Sequence, residues 1–414
     1  MAVQPPVALP NRAELLEEYD IITEDDTEEI KEALEGGRMA DATSKIMENL
    51  QALENARLDI AVTGECGSGK SSFVNAIRGL GDTDDGAAPT GVVETTVKPI
   101  PYQFNKYPNV TIWDLPGIGT PNFQPNTYLK QVNFSCYDFF IIIASERFKF
   151  NHARLAQEIQ MQGKRFYFVR SKVDMDVQAA RTRRQHTDEE GVLQQIRKNC
   201  QECLEAENVA SSHIFLLSNW DFSKYDFMLL EETLEQELPS HKRHAFLLAL
   251  PNISLEILRK KEETLRKQIW KLAIASCGAA AMPIPGLSMA CDVAILVKSL
   301  SEYRKNFGLD DESLENLAKK VDKPVEEIKE VITSPLAKEI TKDAVVKMLS
   351  QGTVTKTGGG TLMVILNCSK VSIFGSLVAG GIAFGTTYYM LCSSLNEIAK
   401  IAQDVLIKAL ESHV

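Results

Sequence analysis

Between residues 57 and 218 the hydrophobic positions come in short, almost unbroken runs. These are Leu58-Asp59-Ile60-Ala61-Val62, Val110-Thr111-Ile112-Trp113, 139–144, Phe166-Tyr167-Phe168-Val169 and Ile214-Phe215-Leu216-Leu217. Runs this short, rich in β-branched and aromatic residues, fit strands covered on both faces. Stretches with helical spacing separate them. Strands alternating with helices predict an α/β domain with a mostly parallel sheet and right-handed crossovers. Residues 11–55 read instead as helices. The acid-rich segment 24–35 follows Thr23 as an N-cap and stops at Gly36-Gly37, whose backbone freedom suits a helix end. Past about residue 240 the strand-like runs give way to helical patterns over 253–272, 314–321 and 395–410, punctuated by Pro283, Pro285, Pro324 and Pro335. The expected organisation is an N-terminal helical segment over 1–50, an α/β domain over 51–240 and a C-terminal all-helical domain over 241–414.

Composition narrows the class of function. With 44% hydrophobic and 24% charged residues among 414, the chain lies in the globular range. A formal net charge of −11 argues against nucleic acid as a partner, because phosphate-backbone affinity rests on clustered Lys and Arg. Eight cysteines over this length are no disulfide framework and fit a reducing, cytoplasmic setting. Cys200 and Cys203 have a C-x-x-C spacing, but on a predicted helix with no second ligand pair nearby they read as ordinary helix-face residues. The first residues lack a basic segment followed by an apolar one, and Ala2 stands where N-myristoylation requires glycine.

The chemistry is concentrated at the ends of the predicted strands. Gly64-Glu65-Cys66-Gly67-Ser68-Gly69-Lys70-Ser71 fits G-x-x-x-x-G-K-[ST], between the first strand and a helical pattern that begins at Ser72. In such a P-loop the backbone N–H groups converge on phosphate oxygens and the helix N-terminus adds a favourable dipole. Lys70 is expected to reach the β- and γ-phosphates and Ser71 to ligate Mg²⁺. Asp114-Leu115-Pro116-Gly117 ends the second run. There Asp114 can hold Mg²⁺ through water, and the Gly117 N–H can sense the γ-phosphate. The loop over 82–96 suits a mobile switch, with Thr90, Thr95 and Thr96 as candidate contacts to metal or γ-phosphate; Thr96 joins Ser71 and Asp114 in the expected metal set.

Ser171-Lys172-Val173-Asp174 follows the fourth run. A carboxylate at Asp174 accepts hydrogen bonds from the N1–H and 2-amino group of guanine, whereas adenine has an acceptor at N1 and no 2-amino group. Hydrogen bonds to charged groups contribute roughly 1.5–3 kcal/mol, enough to choose between the bases. Lys172 is expected to lay its methylene stem on the ring. Ser218-Asn219, after the last run, can present a backbone N–H to guanine O6. A parallel sheet binds ligands at the carboxyl ends of its strands, where all four motifs fall. The expected ligands are GTP and GDP with Mg²⁺.

With these residues in place, the chain resembles the immunity-related (interferon-inducible) GTPase family. The resemblance lies in Ala61-Val62-Thr63-Gly64-Glu65, Thr111-Ile112-Trp113-Asp114-Leu115-Pro116-Gly117, Tyr137-Asp138-Phe139-Phe140-Ile141-Ile142, Leu238-Pro239-Ser240-His241-Lys242-Arg243-His244 and Phe307-Gly308-Leu309-Asp310-Asp311. The C-terminal strings Leu250-Pro251-Asn252-Ile253-Ser254 and Leu377-Val378-Ala379-Gly380-Gly381 most resemble its interferon-inducible GTPase 5 (cinema) branch. Cys66 departs from the Thr or Ser usual at its position, and Ser171 from the usual Thr. The resemblance implies a Ras-like GTPase domain flanked by helices and a role in cell-autonomous innate immunity. It also implies slow, cooperative GTP hydrolysis coupled to self-assembly on intracellular membranes, with further copies and related GTPases as partners. Dimerisation across the nucleotide face would complete the site, with Glu65, Arg147 and Lys149 at positions implicated there.

Three classes of function follow. In a Ras-type enzyme a Gln close after Gly117 orients the attacking water; Ile118 cannot, which leaves room for a GTP-binding switch or scaffold with negligible turnover and a non-immune role. A P-loop kinase or ATPase conflicts with Lys172 and Asp174. For the membrane, 371–396 is uncharged, long enough to span a bilayer and carries Gly381-x-x-x-Gly385; 272–291 is uncharged but broken by prolines. A pair of buried helices in close contact is the expected arrangement, and a membrane-entering hairpin the alternative.

Overall fold

The computed structural model describes residues 30, 32–33, 36, 38–91, 96–118, 124–146, 149–183, 188–209, 213–221, 224–280, 287–354 and 378–411. The elements in chain order are α1 (Met39–Glu54), β1 (Leu58–Gly64), α2 (Lys70–Ile77), β2 (Ile100–Phe104), β3 (Tyr107–Asp114), α3 (Pro125–Gln131), β4 (Phe139–Ala144), α4 (Phe150–Met161), β5 (Arg165–Arg170), α5 (Val173–Arg183), α6 (Glu189–Ala206), β6 (Ile214–Leu216), α7 (Phe227–Glu237) and α8 (Ser240–Ala249). Helices α9 (Leu255–Arg266), α10 (Ile269–Ala280), α11 (Leu287–Asn306), α12 (Asp311–Val321), α13 (Val325–Lys329), α14 (Pro335–Lys338), α15 (Lys342–Val354) and α16 (Val378–Leu410) follow. Two compact units result: Asn55–Ile253, and Met1–Glu54 together with Ser254–Val414.

In the first unit the strands form one six-stranded sheet in the order β2-β3-β1-β4-β5-β6. All neighbours are parallel except β2, which runs antiparallel to β3. The apolar runs became strands because both faces are covered: every residue of β1 and β4 is buried. Strand β2 escaped the pattern reading. It is an edge strand with alternating half-buried and exposed positions and a proline, so it lacks a continuous apolar run. One face of the sheet carries a core with Phe140, Ile142 and Phe168, to which Leu155 and Ile159 of α4 and Cys200 and Leu204 of α6 contribute. The cysteine pair on α6 is therefore packing: Cys200 is buried, Cys203 half-buried, and both are free thiols.

A polar knot ties down the start of β1. Asp59, 5% exposed, accepts hydrogen bonds from Arg57 Nε at 2.7 Å and Trp113 Nε1 at 2.9 Å. The Asp59 N–H donates to Asp138 at 3.0 Å, and Asp138 is paired with Lys242 of α8. Helix α8 packs on β1 and β3, so the sheet unit extends to Ile253 rather than ending at 240.

In the second unit the early helix α1 packs on α10, with Ile46, Leu50 and Ile274 in one apolar cluster. The N-terminal helix thus shares a unit with helices some two hundred residues away in sequence. Helix α10 packs against α11 and α16, and Ser276 and Thr387 share a buried hydrogen bond of 3.1 Å. The helical pattern over 253–272 is two helices, because Lys267 and Gln268 turn the chain between α9 and α10. Of the two uncharged segments, 371–377 and 281–286 lie outside the described residues. Among those described, no helix is long and apolar enough to cross a membrane.

Candidate nucleotide site

Strand β1 delivers the loop Gly64–Ser71 at its carboxyl end and α2 starts at Lys70. Two glycines are required for stated reasons. A Cβ on Gly64, at φ +145°, would sit 2.0 Å from the Ile143 carbonyl oxygen, so only glycine lets the loop leave the sheet beside β4. Gly69 precedes α2 at φ +88°, a left-handed conformation that L side chains adopt only at a cost. A cavity of about 280 Å³ opens over the loop, and Cys66, Gly67, Gly69, Lys70, Ser71 and Ser72 line it together with Thr90, Thr96, Gly117 and Lys172. Lys70 is only 7% exposed, and its Nζ donates to the Glu65 carbonyl at 2.9 Å, across the mouth of its own loop.

The three expected metal ligands meet. Ser71 Oγ donates to Asp114 Oδ2 at 2.6 Å and Thr96 Oγ1 donates to the same oxygen at 2.9 Å. Asp114 is 1% exposed, and its other oxygen is buried with no hydrogen-bond partner. Burial raises the Asp114 pKa above the ordinary carboxylate value, while the two hydroxyls and the nearby Lys70 charge oppose the rise. A buried acceptor without a donor is costly, so this oxygen marks a place for a cation or its water. Hydroxyl and carboxylate oxygens are the hard donors that Mg²⁺ takes, usually with waters and phosphate oxygens completing its shell. The residues fit the ion. Of the candidate threonines, Thr90 is exposed at the cavity, Thr96 is buried on Asp114, and Thr95 lies outside the described residues.

At the other motifs, Ser171 Oγ donates to the Ser68 carbonyl at 2.7 Å, and Lys172, at φ +58°, donates from Nζ to the Gly67 carbonyl at 2.9 Å. The Thr-to-Ser change at Ser171 keeps the hydroxyl that ties this loop to the P-loop. Asn219 Nδ2 donates to the Gly69 carbonyl at 3.0 Å. Ser218 is buried, and its Oγ accepts from the Trp220 N–H at 3.3 Å. Asp174 stands in the first turn of α5 with one carboxylate oxygen buried and unpartnered; Asn219 Oδ1 and Ser68 Oγ share that condition. The structure therefore joins Asp114, Ser171, Lys172 and Asn219 to the P-loop by hydrogen bonds, and Asp174 follows two residues after Lys172 in the first turn of α5.

Several features qualify or extend the reading. Ser72 lines the cavity but its Oγ donates to Asp82 at 3.3 Å. The first part of the expected mobile loop is fastened: Asn75 Oδ1 accepts from the Ala88 N–H at 2.6 Å, and its Nδ2 donates to the Ala88 carbonyl and to Asp82. Glu65 offers its carbonyl to Lys70 and its carboxylate to Lys149 Nζ, 2.6 Å away. Arg147 lies outside the described residues. Burial pushes the nearby His152 down to about 4, and its Nδ1 accepts from the Lys149 N–H. Ile118 is fully buried in the apolar core, and its hydrocarbon side chain has no group that could orient water. Sequence reasoning missed Asn75, an ordinary residue of a helix, and the two side chains Met175 and Trp220 that also line the cavity.

A family model described as Interferon-inducible GTPase (IIGP) matches residues 23–373. Interferon-inducible GTPase 5 of Rattus norvegicus is 47% identical over 393 residues, covering 94% of this chain and 84% of that protein. Interferon-gamma-inducible GTPase 10 of Mus musculus is 39% identical over 394 residues, covering 94% and 91%. Interferon-inducible GTPase 1 of Mus musculus is 44% identical over 300 residues, covering 72% and 73%.

Proposed function

The chain belongs to the interferon-inducible GTPase family, and is thereby a GTP-binding GTPase; from that premise we propose that it hydrolyses GTP slowly as a monomer and faster once a second copy docks across the nucleotide face. One observation carries the reading. Buried acceptors without donors stand in two of the motifs: Asp114 Oδ1, whose other oxygen accepts from Ser71 and Thr96, and Asp174 Oδ1, in sequence between Lys172 and Met175, which line the cavity with Lys70.

Each residue then has a task. Lys70 exchanges the Glu65 carbonyl for phosphate oxygens, so its charge moves from a loop dipole to the group where negative charge develops. Ser71, Thr96 and Asp114 hold Mg²⁺, which when bound neutralises phosphate charge. The Gly117 N–H faces the γ-phosphate, and Asp174 accepts the guanine edge over the stem of Lys172. Ile118 in the core leaves this chain without a water-orienting side chain at that place, and a docking copy would supply what is missing. Glu65 and Lys149, paired beside the P-loop, belong to the face that would be covered.

Ile118 also favours a second reading, a GTP-binding switch or scaffold with negligible turnover and a non-immune role. The partners proposed are further copies of the chain and related GTPases. Peripheral contact with intracellular membranes from a cytoplasmic location, and an interferon-linked defence role, complete the proposal; the latter rests on the names of the relatives. Hydrolysis measured over a range of protein concentrations, with and without a Mg²⁺ chelator, tests the enzyme. Size measured in GDP and in a non-hydrolysable GTP analogue tests assembly. Specific activity is expected to rise with concentration and to need the metal. Tight GTP binding with a flat, negligible activity would favour the switch.

A further inference from the structure

Trp220 is the side chain for which the motifs leave no task. Its indole is 78% exposed, although its backbone is held firmly. The Trp220 N–H donates to Ser218 Oγ at 3.3 Å, and the preceding Asn219 is fastened to the Gly69 carbonyl at 3.0 Å. A single exposed apolar residue needs no explanation by itself. This one, however, lines the nucleotide cavity together with Lys172 and the 57%-exposed Met175 of α5. The residues next to Met175 and Trp220 in sequence, Asp174 before the one and Asn219 before the other, each carry a buried acceptor without a donor, Oδ1 in both cases. A wall of indole, thioether and lysine methylenes next to unpaired acceptors suits a flat heteroaromatic ligand with donors along one edge. Such a ligand covers apolar surface with its faces and satisfies the acceptors with its rim.

We infer that Trp220 forms an aromatic wall of the base subsite, stacking on the guanine ring that Asp174 reads, and so sets the affinity for guanine nucleotides whatever their phosphorylation state. The inference rests on the guanine nucleotide reading above. Asp174 supplies discrimination between bases, whereas stacking is tolerant of base identity because every base has a π-face. Trp220 therefore governs retention of the nucleotide rather than choice of it. The loop is anchored before binding, so little backbone order is lost when the base arrives.

The test uses the full chain and two readouts. Trp113 and Trp270 are partly buried in the apolar clusters of their units, so iodide quenching of tryptophan fluorescence reports chiefly on Trp220. Saturating GDP is expected to protect it. Trp220→Ala is expected to weaken GDP and a non-hydrolysable GTP analogue alike, by about ten-fold, with faster dissociation. Binding of inorganic tripolyphosphate is expected to stay as in the wild type, and Trp220→Phe to recover most of the loss. Because the side chain is largely in water, unfolding midpoints of the variants should match the wild type. Wild-type protein that binds GDP while Trp220→Ala binds it equally well, or GDP that leaves iodide access unchanged, overturns this inference alone. Wild-type protein that binds no guanine nucleotide overturns the parent reading with it.

Discussion

Replacing Asp174 by asparagine is the sharpest test of what the cleft recognises. The carboxylate stands in the first turn of α5 with one oxygen already buried and unpartnered. Guanine binding therefore breaks no existing bond at that atom. Two hydrogen bonds to a charged acceptor are worth about 3–6 kcal/mol in sum. The rest of the side chain is half-buried, so water competes in the free state and the lower end applies. A loss of about 3 kcal/mol is about a 100-fold weakening. The amide of the variant keeps one acceptor but turns an N–H₂ toward the N–H donors of guanine, adding repulsion to loss. Xanthine carries a carbonyl in place of the 2-amino group, and the same amide can donate to it. Displacement of a fluorescent GDP analogue at fixed Mg²⁺ should show GDP weakened by about 100-fold in Asp174→Asn, xanthosine diphosphate gaining, and ADP negligible for both proteins. A loss of less than about five-fold with an unchanged unfolding midpoint would refute the assignment, as would wild-type binding of ADP as tight as GDP.

Two further outcomes follow from backbone geometry and burial. Gly64→Ala, with its Cβ 2.0 Å from the Ile143 oxygen, should destabilise by about 3 kcal/mol in urea unfolding. Gly67→Ala, at φ +74° with nothing within 4 Å, should lose only about 1 kcal/mol; equal losses would contradict the close approach to β4. His152, pushed down to about 4 from 6.5, is neutral when folded and protonates more readily when unfolded. Stability is present above pH 6.5 and falls as the pH drops toward 4, by about 3 kcal/mol from this group. His152→Gln should flatten that decline, and an unchanged difference between about pH 7 and pH 4.5 would exclude His152 as its source.

The central strands and the nucleotide motifs were legible because their causes are local. Strand 139–144 is apolar at every position, and only a strand covered on both faces tolerates that. The P-loop, Asp114 and Asp174 sit immediately after such runs, so position and chemistry reinforce each other. Strand β2 was not legible, since an alternating edge strand with a proline resembles a loop. Nor was the union of α1 with α10, which depends on two faces far apart in sequence. Asn75 and Trp220 carry no sequence signal of their own. One matters through a backbone group thirteen residues away, the other through a cavity whose walls come from five separate segments of the chain. Thr96 stood in the expected metal set from the sequence, and the structure adds the hydrogen bond of its hydroxyl to Asp114.

The knot of Asp59, Arg57, Trp113, Asp138 and Lys242 grips β1 at the end remote from the P-loop. Anchorage and ligand handling are thus divided along a single strand. Substitutions at the cradle end can retune exchange or turnover while the far end keeps the scaffold standing. A change in the knot should instead lower the amount of folded protein and leave the properties of each surviving molecule intact. Tolerance to sequence drift is therefore lopsided along β1, and new catalytic behaviour in such a chain has the most room to arise where the strand gives way to glycine.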